Sequence, residues 1–203
     1  MSRFRTISAV SLCAIALAAC GGGSSSTSHR TVESPQGLPS LPEGWRRHVD
    51  VRRGVAIGVP PGWRVRRRTR ALLVTSPGQL VAVSVTATRT GSALRVPLGR
   101  FAHAVPGALS GYPRPPQVGG PKPFRGTPLR AVRVRAKGVA ANGVPERVTV
   151  VALRRDHLAT FTLVAVANPG APASVAARAM AVARTLRDRP VHQPAGRRSG
   201  RSG

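Results

Sequence analysis

Side-chain catalysis needs a nucleophile or base held in place by a partner, and two His–Asp pairs are the candidates. His48 and Asp50 stand two apart, a spacing that puts both on one face of a strand. Asp156 and His157 are adjacent, in a stretch that reads as a turn, where Asp is an ordinary residue. His103 falls in a helical pattern and reads as a partly buried core histidine. His29 and His192 lie outside the periodic part of the chain. The chain has only 6 Asp plus Glu, scattered along its length. No paired acid and base and no calcium or magnesium cage is expected from them. No G-x-S-x-G, H-E-x-x-H or P-loop pattern occurs. An exposed ion pair is the simpler role for His48 and Asp50. The chain is therefore expected not to be an enzyme, with no catalytic residue, cofactor or metal.

The other reactive side chain is the Cys20 thiol. Leu17-Ala18-Ala19 precede it and Gly21-Gly22-Gly23-Ser24-Ser25-Ser26 follow. Upstream stand Arg3 and Arg5, then an apolar run from Ile7 to Leu17. That run is too short to span a bilayer, which takes about 20 residues. A charged start, an apolar stretch and small residues before a cysteine make a lipobox. Small residues let the backbone enter a peptidase groove, and a thiol is the best available nucleophile for a thioether to lipid. The expectation is that residues 1–19 are a signal peptide and that Cys20 carries diacylglycerol. Residues 20–40, rich in Ser, Gly and Pro, then form a flexible linker. Two alternatives stand beside it: ordinary secretory cleavage at Ala16-Leu17-Ala18, and an uncleaved anchor. With Cys13 in the leader and Cys20 lipidated, the mature chain would hold no disulfide.

Charge is the most extreme property. Lys plus Arg number 32, giving +26 at neutral pH, and nearly all of it is Arg. Part of this reflects an Arg- and Ala-rich composition of the kind high-GC bacterial genomes produce. The resulting field still draws the protein to anionic surfaces. An extracytoplasmic address argues against nucleic acid and for lipid head groups, wall polymers or acidic proteins. Arg133 and Arg135 alternate with Val132 and Val134, so one strand face is basic. Arg147 follows on the next strand. These three are the candidate anionic contact. Residues 189–203 read as a basic disordered tail.

The elements that must hold these residues are short. Strands are expected at Trp45–Val51, Val55–Val59, Arg64–Arg68 and Ala71–Thr75, with turns at Arg52-Arg53-Gly54, Pro60-Pro61-Gly62 and Pro77-Gly78. Val81, Val83 and Val85 alternate with Ala82, Ser84 and Thr86, a half-buried strand with Ser84 on its wet face. Leu94, Leu98, Phe101, Val105 and Leu109 recur at three and four, predicting a helix over 93–110 ended or kinked by Pro106. Tyr112 to Lys122 is Pro-rich and reads as a connector rather than a polyproline ligand. Asn142-Gly143 signals a hairpin. Arg147–Leu153 and Leu158–Val166 are apolar on both faces, the mark of central strands covered by helix. A closing helix from Pro172 carries the stripe Val175, Ala179, Val182 and Leu186. Trp63, ending a strand, is expected in the core; Trp45 can be core or exposed.

Strands, a helix, strands and a terminal helix give an α+β fold, an antiparallel sheet with packed helices. The run Val55-Ala56-Ile57-Gly58-Val59-Pro60-Pro61-Gly62-Trp63 resembles the strand and P-x-G-W opening of PsbP-like (Mog/PsbP/DcrB) domains. Arg154 to Val166, then Pro172 to Leu186, resemble their closing hairpin and helix. The resemblance spans residues 41–188 in element order. It implies an αβα sandwich and a non-enzymatic adaptor role, in a family with many actinobacterial lipoproteins. The family's acidic or metal-binding positions have no match here, so no specific partner carries over. The expectation is a lipid-anchored, extracytoplasmic, monomeric binding module of the cell envelope. Its partner would be an envelope protein or, alternatively, an anionic wall polymer or lipid.

Overall fold

In the computed structural model, residues 40–109 and 111–189 are described. The expectations for the leader, Cys20, the linker, His29, His192 and the tail beyond Arg189 lie outside them. Eleven strands and two helices run in the order β1 (Arg46–Asp50), β2 (Val55–Val59), β3 (Arg64–Arg67), β4 (Leu72–Thr75), β5 (Val81–Thr88), α1 (Leu98–Ala104), β6 (Gln117–Val118), β7 (Lys122–Pro123), β8 (Arg130–Val139), β9 (Pro145–Arg155), β10 (Ala159–Ala167), α2 (Ala173–Thr185) and β11 (Arg187–Asp188). The large sheet has the order β3-β4-β5-β10-β9-β8-β6, with β7 also paired to β8; β1, β2 and β11 form a small one. Every pairing is antiparallel.

The large sheet is the middle layer. On one face Val83, Val85, Leu163, Phe161 and Leu153 meet Val55, Ile57 and Val59 of β2 and Ala179, Val182 and Leu186 of the closing helical stripe. On the other, Val134, Val148, Val150, Val164 and Val166 meet Leu98 and Ala102 of α1. This is the expected αβα sandwich, with the small sheet sharing the α2 layer. Fully burying one such Val, Leu or Phe side chain stabilises the fold by about 1.5–3 kcal/mol. The small sheet is held close to α2 at Gly58. A Cβ there would lie 2.8 Å from Leu41 Cδ2 and 3.0 Å from the Thr185 side chain. The Gly58 amide donates to Thr185 Oγ1 at 2.8 Å.

Most of the turns form where the sequence places them. Gly54, Gly62, Gly78 and Gly143 all have positive φ, which Gly adopts without steric cost. Trp63 is core, and Trp45 packs against it partly buried. Four expectations need correction. The helix over 93–110 is three pieces: a 3₁₀ turn at Ser92–Leu94, α1 from Leu98 to Ala104, and another 3₁₀ turn at Pro106–Ala108. Pro97 at the N-cap and Pro106 after the last turn set those limits. Arg154 fixes the gap between the first two, donating to Val96 O at 2.7 Å and Ala93 O at 3.0 Å. Ser84 is not on a wet face; it is buried at 3 % exposure, opposite Val164 of β10, which belongs to the cluster on the α1 side of the sheet. His103 is exposed rather than partly buried, and Leu158 lies in the exposed hairpin turn before β10.

Candidate functional site

The far edge of the large sheet carries the basic residues. β6 pairs with β8 through Gln117 and Lys137, and Val118 and Ala136. Gly119 N then donates to Arg135 O at 2.8 Å. Further on, Lys122 opposes Arg133 and Pro123 opposes Val132. Between these pairs the edge has one residue more than β8, a bulge at Gly119-Gly120-Pro121. Facing parity has period two, so one added residue sends everything after it to the other face. Val118 faces α1 with Ala136. Lys122, four residues on, would share that face without the bulge. With it, Lys122 stands beside Arg133 on the α2 side, exposed to solvent.

Arg135 and Lys137 follow Arg133 on the same face, at a rise of about 6.6 Å per two residues. Arg147 opposes Lys137, not Arg133 or Arg135, and is diagonal to Arg135. Arg133 is half-buried, while Lys122, Arg135, Lys137 and Arg147 are exposed. A hollow of about 260 Å³ opens under the bulge, lined by Gly119, Gly120, Lys122, Arg133 and Arg135. Two unit charges about 7 Å apart in water repel by about 0.6 kcal/mol, so solvent makes the cluster tolerable while leaving it unneutralised. Lys122, Lys137 and the glycines were not among the expected contact residues. The only signal for them was the Gly-Gly-Pro triplet, and its meaning depends on a register that sequence alone does not show.

The scarce carboxylates are used elsewhere. Asp50 is buried and pairs with Arg53 Nη1, and it also accepts from Arg53 N at 3.2 Å. That takes Asp50 away from His48, so the His–Asp pair does not form. The His48 Nε2 is buried without a hydrogen-bond partner among the described residues. Burial, then the Arg67 charge, holds the His48 imidazole below its usual range against the opposing Asp50 charge. Glu146 is buried and accepts from Tyr112 Oη at 2.6 Å. Asp188, its side chain 5 % exposed, accepts from Arg89 at 2.6 Å and Arg155 at 2.7 Å. Arg89 also reaches Gly54 O at 2.9 Å and lies over the Phe161 ring at 5.6 Å. These contacts tie β11 and the β1–β2 turn to the central strands. Asp156 adopts φ 44° in the hairpin turn. Among the described residues no group of three His, Cys, Asp or Glu is placed to hold a metal ion.

No protein-family model matches the sequence, and no curated protein matches it. Solved structures do match the fold. The solution structure of cyanobacterial PsbP (CyanoP) from Synechocystis superposes with TM-score 0.55 at 13 % identity, over 76 % of this chain and 99 % of that one. The chain therefore has a PsbP-like fold. A Bacteroides thetaiotaomicron crystal structure gives TM-score 0.47 at 12 % identity, covering 69 % of this chain. This chain spans about half of that protein, 47 %. LpqN of Mycobacterium tuberculosis, described as involved in cell envelope biogenesis, gives TM-score 0.45 at 18 % identity over 67 % of this chain and 83 % of that one. At those scores the last two carry no argument about this chain. Among the described residues no helix is long and apolar enough to cross a membrane.

Proposed function

We propose that this chain is a lipid-anchored, extracytoplasmic binding module of the cell envelope, working by contact rather than catalysis. The anchor rests on the sequence around Cys20. The contact reading rests on one observation: Lys122, Arg133, Arg135, Lys137 and Arg147 share one open face, and none pairs with a carboxylate among the described residues. The buried acids are committed to holding the fold, which leaves that face positive. A surface of this kind favours an anionic partner, either wall polymer or lipid, over a neutral protein interface. Near an anionic membrane each basic group contributes roughly 1 kcal/mol of attraction.

The test has two parts. Mass spectrometry of the native N-terminus should find Cys20 diacylated; an unmodified peptide starting at Ala19 or Cys20 refutes the anchor. Crosslinking and recovery of the native protein from its own membrane should then identify the partner. Retention that falls steeply with ionic strength marks an anionic polymer or lipid, whereas salt-insensitive retention marks a packed protein interface.

A further inference from the structure

We infer that the hollow under the β6–β7 bulge is a binding site for a phosphate ester group. The inference deepens the reading of the basic face as a contact surface and rests on it. Lys122 and Arg133 oppose each other across β7 and β8, and Arg135 is the next residue on that face. Directly opposed side chains have Cβ atoms about 5 Å apart and same-face neighbours along a strand about 6.6 Å, and all three residues line the same hollow. The hollow measures about 260 Å³. That holds a phosphate and a few attached atoms, and falls below the pockets of about 300–1,000 Å³ that enclose larger ligands. Guanidinium groups present paired N–H donors that match the oxygens of such a group, and Lys adds a point charge.

The architecture is specific to this spot. The extra residue in the edge strand is what turns Lys122 toward Arg133 rather than toward α1. Gly120 is not required by backbone conformation, since its φ is not positive, nor by packing, since a Cβ there would meet nothing within 4 Å. What its missing side chain does is leave the rim open. A second hollow, of about 170 Å³, includes Arg184 and Arg187. There Arg187 Nη1 is already spent on Arg184 O at 2.8 Å and Leu186 O at 2.9 Å. Among the described residues, no hydrogen bond or ion pair occupies the side chains of Lys122, Arg133 and Arg135 in this way.

The test uses the full-length protein with glycine-selective isotope labelling, titrated with glycerol phosphate and, separately, bound to phosphatidylglycerol or phosphatidylcholine vesicles. Glycerol phosphate should shift the Gly119 and Gly120 amide signals saturably. Both Arg133→Gln/Arg135→Gln and Gly120→Val should weaken that binding at least tenfold with the melting temperature kept. Val suits the position before Pro121, where extended backbone is favoured. Arg64→Gln/Arg66→Gln removes equal charge at the opposite edge of the sheet and should leave binding unchanged. Equal weakening by that control, or full binding by Gly120→Val, overturns the site. A preference for phosphatidylglycerol over phosphatidylcholine vesicles that survives Gly120→Val keeps the basic face as a contact surface while refuting the hollow. Saturable glycerol phosphate binding with no retention on native membranes keeps the hollow and refutes the contact-module reading. Gly119 and Gly120 shifts on phosphatidylglycerol but not phosphatidylcholine vesicles make the source a lipid head group; shifts with glycerol phosphate alone make it a soluble ester.

Discussion

Tyr112 joins the Pro-rich connector to the β8–β9 hairpin by two contacts. Its hydroxyl donates to buried Glu146, and its ring occupies the space that a Cβ on Gly138 would enter, 2.8 Å away. Burial first, and the Glu146 bond second, raise the Tyr112 pKa well above its ordinary 10.0. A phenol with a raised folded pKa gives stability that is complete below about pH 10 and is lost as pH climbs further. Tyr112→Phe should cost about 1–3 kcal/mol in denaturant melts at neutral pH, since it leaves a buried carboxylate without its donor. The same variant should lack the wild type's alkaline loss. His48 works in the opposite direction. Its folded pKa lies below 6.5, so its contribution is present above that pH and is lost as pH falls through the folded value. Melts of His48→Gln between pH 7 and pH 5 should show a flatter stability profile than wild type; an identical slope would mean that His48 is solvated like a free histidine.

At the level of elements, β5 is the informative one. The sequence alternation in Val81–Thr88 describes a strand with one wet face, yet Ser84 is as enclosed as Val83. Alternation reports side-chain polarity along one strand, whereas burial depends on what packs above it. Here β5 is flanked by β4 and β10, and Ser84 stands opposite Val164, a member of the cluster that packs on α1. Ser84→Asp should therefore abolish the cooperative melt as completely as Val83→Asp or Phe161→Asp, because each buries an unpaired charge. A mild effect at Ser84 would show that this position opens readily to solvent. The region 93–110 teaches a related point. Helical spacing was real at Leu98, Phe101 and Val105, but prolines and the Arg154 bonds limited the α-helical stretch to 7 residues.

For the whole molecule, the charge is the decisive quantity. Of the 6 acidic residues, Asp50, Glu146 and Asp188 are held in internal bonds, so they anchor structure rather than neutralise the surface. The two edges of the large sheet are basic for different reasons. β3, with Arg64, Arg66 and Arg67 exposed, reads as an edge guarded against pairing with another chain. The β7–β8 edge gathers its cations around an open hollow. Self-repulsion at +26 opposes compactness, and salt screens it. Raising ionic strength from about 0.01 M to 0.15 M shortens the Debye length from roughly 30 Å to 8 Å. The melting temperature should rise over that range even as binding to anionic vesicles weakens. A melting temperature that falls would mean that attractive ion pairs, such as Arg89 with Asp188, outweigh the repulsion.

Periodicity and turn chemistry were enough for the order of the longer elements and the fold class, but not for the two-residue strands β6, β7 and β11, the first two of which lie in the stretch that reads as a connector. Val55–Val59, the Pro60-Pro61-Gly62-Trp63 stop, the Asn142-Gly143 hairpin and the stripe Ala179, Val182 and Leu186 each express a local preference that the tertiary structure keeps. The excess of Arg over acid was likewise plain from composition. What needed three dimensions was everything that depends on register between distant segments. Arg147 stands opposite Lys137, and Lys122 joins Arg133 only because one added residue at Gly119-Gly120-Pro121 reverses its facing. Asp50 turns to Arg53 rather than His48, since a tight turn brings that guanidinium nearer than the strand brings the imidazole. Such outcomes rest on contacts between residues far apart in the chain or on turn geometry, and a one-residue shift in either changes which side chains meet.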